Sequence, residues 1–157
     1  MNRQPSEKEP LMIYHGNRFT LRKGVSAEDR DAALESLRHQ GRIIPAVKSY
    51  TVGPDFGGEY EYGAVFVLED LAEYEEYMSH PAHLHTDRIG LPLVDVFMSF
   101  DITDDPAPEV GAEIADIHRR RYEALPDIAA LVSGLAKYTG SAAPGRTMPG
   151  TDSGTIK

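Results

Sequence analysis

Apolar residues recur along this chain with two spacings, and the switches between them lay out its elements. Residues 11–20 (LMIYHGNRFT) alternate in part and predict a short strand. Ser26, with a carboxylate three residues later at Asp29, marks a helix start. Ala33, Leu34 and Leu37 then follow at helical spacing, while Glu28, Arg30, Asp31, Glu35 and Arg38 fall on the opposite face. Gly41 predicts the stop, and Pro45 lies beyond it. A second strand is predicted at 47–52, closed by Gly53-Pro54 and a turn through Asp55-Phe56-Gly57-Gly58. The strongest strand pattern covers 60–68: Tyr60, Tyr62, Ala64, Phe66 and Leu68 share one face, with Val65 and Val67 on the other. Asp70 caps a further helix carrying Leu71, Tyr74, Tyr77 and Met78, which ends or bends at Pro81. After a loop through Gly90 and Pro92, residues 94–102 predict a fourth strand, with Val94, Val96, Met98, Phe100 and Ile102 on one face and Phe97 on the other.

The order strand–helix–strand–strand–helix–strand is the split βαβ arrangement, an α+β, ferredoxin-like domain with two helices on one face of a four-stranded antiparallel sheet. Val65, Val67 and Phe97 then lie on the face without helices. That apolar surface must pack against something, and a symmetric homodimer through the sheet face is the economical solution. Residues 104–108 (Asp-Asp-Pro-Ala-Pro) read as a hinge, followed by helices at 110–124 and 127–138. The expected organisation is therefore an arm at 1–10, the α+β domain at 11–103, a helical extension at 104–138 and a disordered Gly/Pro/Ser/Thr-rich tail at 139–157.

A chain of 157 residues is long enough to bury a core without a covalent staple. The absence of Cys excludes disulfide scaffolds, thiolate-bound zinc, iron–sulfur clusters and thiol catalysis. Sixteen basic against 25 acidic residues leave a formal charge of −9, which disfavours nucleic acid and anionic membranes as partners. The single basic run, Arg119-Arg120-Arg121, is flanked by Asp116 and Glu123 and reads as a solvated, ion-paired helix face. The first ten residues are polar, and no stretch approaches the ~20 apolar residues of a membrane span, so the expected location is cytoplasmic.

The run Tyr77-Met78-Ser79-His80-Pro81-Ala82-His83 closes a helix ahead of the last strand of the domain. With His15 in the first strand, Ile43-Ile44-Pro45-Ala46-Val47-Lys48, Val52-Gly53 and the Phe100-Asp101 strand ending, it resembles the stress-responsive dimeric α/β-barrel (Dabb) family over about residues 11–103. The resemblance implies two ferredoxin-like domains joined through their sheets into a dimeric barrel, without a cofactor. Some members of that family are stress proteins with no assigned reaction. A plant polyketide cyclase of the family closes its substrate by an aldol-type step, and it implies His83 as general base, Tyr77 as its assistant and His15 as a further polar group of the pocket. His80, Tyr62 and Phe66 are expected to complete the substrate pocket.

The chemistry suits those residue types. An aldol closure needs a base for a proton alpha to a carbonyl and a donor for the enolate oxygen; a neutral imidazole and a phenol supply them. The expected ligand is a small apolar or aromatic carbonyl compound, and the leading reading is a cofactor-free lyase or cyclase. Competing readings are a non-catalytic stress-responsive or ligand-binding protein, whose histidines hold the helix end, and a cofactor-free monooxygenase of like fold. A metal on His80, His83 and His85, with His15 or Asp87, fits poorly because those spacings lack the i, i+4 pattern of a helical metal pair.

Overall fold

A computed structural model describes residues 11–145; the expected N-terminal arm and the last twelve residues of the tail lie outside the described residues. The elements are β1 (Ile13–Leu21), α1 (Ala27–Ile43), β2 (Ser49–Pro54), β3 (Tyr62–Leu68), α2 (Leu71–Ser79), α3 (Pro81–Gly90), β4 (Val94–Thr103), α4 (Pro108–Ala124), α5 (Pro126–Ser133) and β5 (Lys137–Gly140). The sheet order is β2-β3-β1-β4-β5. The first four strands pair antiparallel with β1 between β3 and β4, as the ferredoxin-like reading requires, and β5 adds parallel to β4.

Local chemistry explains most boundaries. Ser26 Oγ accepts from the Asp29 amide at 3.1 Å, and Glu28 and Asp29 place negative charge at the N-terminal turn of α1. Gly41 does not stop α1, which runs on to Ile43. The glycine serves close packing instead: a Cβ there would lie 2.2 Å from the Tyr50 ring. Asp70 caps α2 through the Glu73 amide at 2.8 Å.

Two expectations about elements are refined. The helix expected to end or bend at Pro81 ends, and a separate helix, α3, runs from Pro81 to Gly90. Proline fixes the residue before it in extended backbone, and His80 has φ −64° and ψ 139°; this ends α2, while Pro81 at the first turn starts a new helix. The helix expected over 127–138 ends at Ser133, and residues 137–140 pair with β4 as a strand, so part of the expected disordered tail is ordered.

A third expectation, on the faces of β4, is corrected. Thr20 pairs with Val96 but Leu21 with Val94, so Asp95 is an extra residue in the ladder. A bulge of one residue transfers every side chain beyond it to the opposite face. Val94 therefore points toward the helices together with Phe97, Ser99 and Asp101, which share registers or contacts with Leu21, Phe19, Asn17 and His15. Phe97, expected on the helix-free face, packs on Phe19 and Tyr138 among the helices. The helix-free face is instead built from Tyr14, Val65, Val67, Val96, Met98, Phe100 and Ile102. The Phe100 ring covers Gly16 in the centre of that face, where a Cβ would meet it at 2.1 Å.

The core lies between the sheet and the helices. Ile13, Phe19, Phe66 and Leu68 from the sheet meet Leu34 and Leu37 of α1, Tyr74, Tyr77 and Met78 of α2, and Ile114 and Ile117 of α4. A smaller cluster of Leu91, Ile128 and Val132 seats α5 at the end of α3. No helix of the described residues is long and apolar enough to cross a membrane.

Candidate active site

Between the inner sheet face and helices α1–α4 lies a cavity of about 80 Å³. Each element reaches it with its own period. β1 contributes His15, Asn17, Phe19 and Leu21 at every second position. α3 contributes His83, Thr86, Asp87 and Gly90 at i, i+3, i+4 and i+7, and α4 contributes Arg121 and Tyr122. Tyr77 and Met78 of α2, Gln40 of α1 and Ser99 of β4 complete the wall with Val132, Tyr138 and Ala142. The extension is thus part of the cavity, and hydrogen bonds pin it there. Ser99 Oγ accepts from the Ala142 amide at 2.8 Å, the Tyr122 hydroxyl donates to the Ala142 carbonyl at 2.6 Å, and Arg22 donates to the Gly134 carbonyl at 2.8 Å.

The three residues named first from the sequence come together. The Tyr77 and His83 rings meet edge-on with centroids 4.8 Å apart, and His15 lies 5.7 Å from Tyr77. His15 Nδ1 lies 2.8 Å from Asp101 Oδ1, which leaves Nε2 as the nitrogen for a ligand. The Tyr74 hydroxyl donates to Asp101 Oδ2 at 3.0 Å and lies 2.7 Å from His118 Nε2. Burial opposes ionisation of Asp101, but the neighbouring His15 outweighs it and holds the carboxyl below its ordinary value. That carboxylate anchors His15 as an aspartate orients a catalytic histidine.

His83 is buried, and its Nδ1 has no hydrogen-bond partner among the described residues; Asp87 Oδ2 lies 3.4 Å away without the alignment of a bond. Burial, reinforced by the Arg121 charge and then by His15, pushes the His83 pKa well below 6.5, so the imidazole is neutral at pH 7 and able to accept a proton. Burial also drives the Tyr77 pKa far above that of a free phenol, which keeps its hydroxyl a donor.

The remaining expected pocket residues do not line the cavity. His80 caps α3, its Nδ1 accepting from the Ala82 amide at 3.0 Å. Tyr62 packs on Phe19 at 5.9 Å, and Phe66 stands behind Tyr77 at 5.1 Å. Among the described residues no group of three or more His, Asp or Glu side chains is placed to hold a metal ion.

Sequence reasoning missed Arg121, His118 and the anchoring role of Asp101. Arg119 and Arg120 do form the solvated ion pairs expected of them, with Asp116, Glu123 and Glu75. Arg121 does not: it turns inward, its side chain 8% exposed, and pairs with Asp87. The signal was present in the spacing Ile114, Ile117, His118, Arg121, a stripe at i, i+3, i+4 and i+7 that faces the core.

Four antiparallel strands in the order β2-β3-β1-β4, helices on one face and an apolar opposite face define a ferredoxin-like α+β domain, to which β5 is added at the edge. The chain belongs to the Dabb family, the Stress responsive A/B Barrel Domain, whose pattern matches residues 13–104. Solved structures share the fold, three of them as follows. One is a dimeric ferredoxin-like protein of unknown function from Thermobifida fusca YX, with 21% identity and TM-score 0.56 over 65% of this chain and 99% of that one. Another is a Dabb family protein from Mesorhizobium loti MAFF303099, with 24% identity and TM-score 0.53 over 59% and 95%. The third is a hydroxynitrile lyase from Passiflora edulis, with 13% identity and TM-score 0.57 over 63% and 98%. No curated protein sequence matches the chain.

Proposed function

We propose that this chain is a cofactor-free lyase or cyclase that acts on a small carbonyl compound inside the cavity. His83 takes a proton alpha to the carbonyl, and the released electron pair moves onto the carbonyl oxygen as an enolate. The Tyr77 hydroxyl donates to that oxygen, and His15, oriented by Asp101, positions the second reacting carbonyl or leaving group. The enolate carbon then attacks the second carbonyl, whose oxygen takes up the proton, or the same steps run backward as a cleavage.

The observation that carries this reading is the neutral, unpartnered His83 imidazole on the same cavity wall as Tyr77 and His15. A depressed pKa makes His83 a weak base, so the enolate must be stabilised strongly for the step to run. A cavity of about 80 Å³ suits a compound of a few heavy atoms, and a long polyketide chain would require its walls to move. The Passiflora edulis hydroxynitrile lyase supports the idea that a chain of this fold can house a lyase. The apolar sheet face, with neighbours described as dimeric, supports a homodimer.

The test is deuterium exchange at the alpha carbon, followed by proton NMR in D₂O on a panel of small ketones, β-hydroxy ketones and cyanohydrins, with cleavage read in the same spectra. Exchange or cleavage above the buffer rate is expected, reduced roughly 100-fold or more in His83→Ala and less severely in Tyr77→Phe. Binding of panel members with no turnover would replace the catalytic reading with that of a ligand-binding protein.

A further inference from the structure

Among the described residues Arg121 is the one buried guanidinium on the cavity wall, and it comes from α4, beyond the segment that matches the family. Its terminal nitrogen is held by Asp87, but Nε is buried with no hydrogen-bond partner among the described residues. A guanidinium offers five N–H donors in a rigid fork, and a single carboxylate does not saturate them. The adjacent His83 Nδ1 is unpartnered as well. Two neighbouring polar groups, each nine-tenths buried or nearly so and both on one cavity, mark a place where a ligand atom completes the hydrogen bonding.

We infer that Arg121 makes the cavity selective for a small organic acid, binding its carboxylate through the Nε edge of the guanidinium. This rests on reading the cavity as the ligand site, and it narrows the substrate class from small carbonyl compounds to those bearing an acid group, such as keto acids. Asp87 neutralises part of the guanidinium charge, so a neutral amide of the same shape could also accept from Nε. What favours the acid is the strength of a charge-assisted hydrogen bond in a site screened from water. The extension would then be a specificity element added to a domain that carries His15, Tyr77 and His83.

The experiment titrates isotopically labelled full-length protein with propionate and, separately, with propionamide, which match in size and differ in charge. Propionate is expected to bind at least 10-fold more tightly, to shift the Arg121 Nε–H resonance, and to lose its advantage in the double variant Asp87→Asn/Arg121→Gln, which removes both charges together. If that variant does not fold, the wild-type preference and the Arg121 resonance still decide. Equal binding of the two probes, a preference that survives the double substitution, binding that leaves Arg121 and His83 unmoved, or no binding of either overturns the inference. The two proposals fail separately. Absent turnover with a clear propionate preference would remove only the catalysis, and turnover of neutral ketones with no preference would remove only the assignment to Arg121.

Discussion

His118 hydrogen-bonds Tyr74 from within the core, and burial, with a further contribution from His15, lowers its pKa from 6.5 to about 4, against an opposing pull from Asp101. The folded chain thus keeps it neutral while the unfolded chain protonates it near 6.5, so acid favours unfolding. Stability is complete above pH 6.5 and falls as the pH drops toward 4, with His118 accounting for about 3 kcal/mol of the loss. Urea midpoints across that range should decline more gently in His118→Gln, with a remaining slope from His83, whose pKa is shifted in the same direction. An unchanged slope would show that His118 is already protonated in the native state. His80 makes a different prediction. As the α3 cap it should cost about 1 kcal/mol when replaced by Ala, read as a lower urea midpoint. Pro81 separates the cap histidine from the cavity histidine three residues on, by placing His80 at the helix start and His83 on its inner face.

At the scale of elements, amphipathic spacing and caps located α1, α2, β1 and β3 well, because those features act within a few residues. β5 was not legible in that way. Its four residues, Lys-Tyr-Thr-Gly, are too few and too polar to show a strand period, and Gly134 is the local punctuation that separates them from α5. The strand forms because the edge of β4 offers unpaired backbone groups, a partner some forty residues away. Gly140 makes that docking possible: its φ is +109°, and a Cβ would sit 1.8 Å from the Ser99 carbonyl oxygen. Gly140→Val should therefore lower stability by about 2 kcal/mol and release β5. Hydrogen exchange should show it as lost protection at the Ser141 and Ala142 amides, which bond Ser99 in the native fold. Retained protection would mean that β5 does not depend on that close approach.

For the whole molecule, the β4 bulge matters most. It places Val96, Met98, Phe100 and Ile102 beside Tyr14, Val65 and Val67, where Ile102 is 63% and Tyr14 47% exposed. Apolar side chains gathered on one face favour association with a second surface. Sedimentation should give a dimer at micromolar concentrations, and Met98→Glu/Phe100→Glu should shift it toward monomer by burying charge without partners. A wild-type monomer at those concentrations would remove the sheet-to-sheet assembly and leave the cavity between the sheet and the helices of one chain in place.

Local pattern determined the strand–helix–strand–strand–helix–strand core and the ferredoxin-like class, because periodicity and caps are written in neighbouring residues, while the trio His15, Tyr77 and His83 was implied by the resemblance to the Dabb family. Tertiary structure decided the rest: which way β4 faces past its bulge, the capture of residues 137–140 by a sheet edge, and the inward turn of Arg121. Each of those outcomes depends on a partner far away in the chain, and the free energy of such a contact has no representation in the spacing of adjacent side chains.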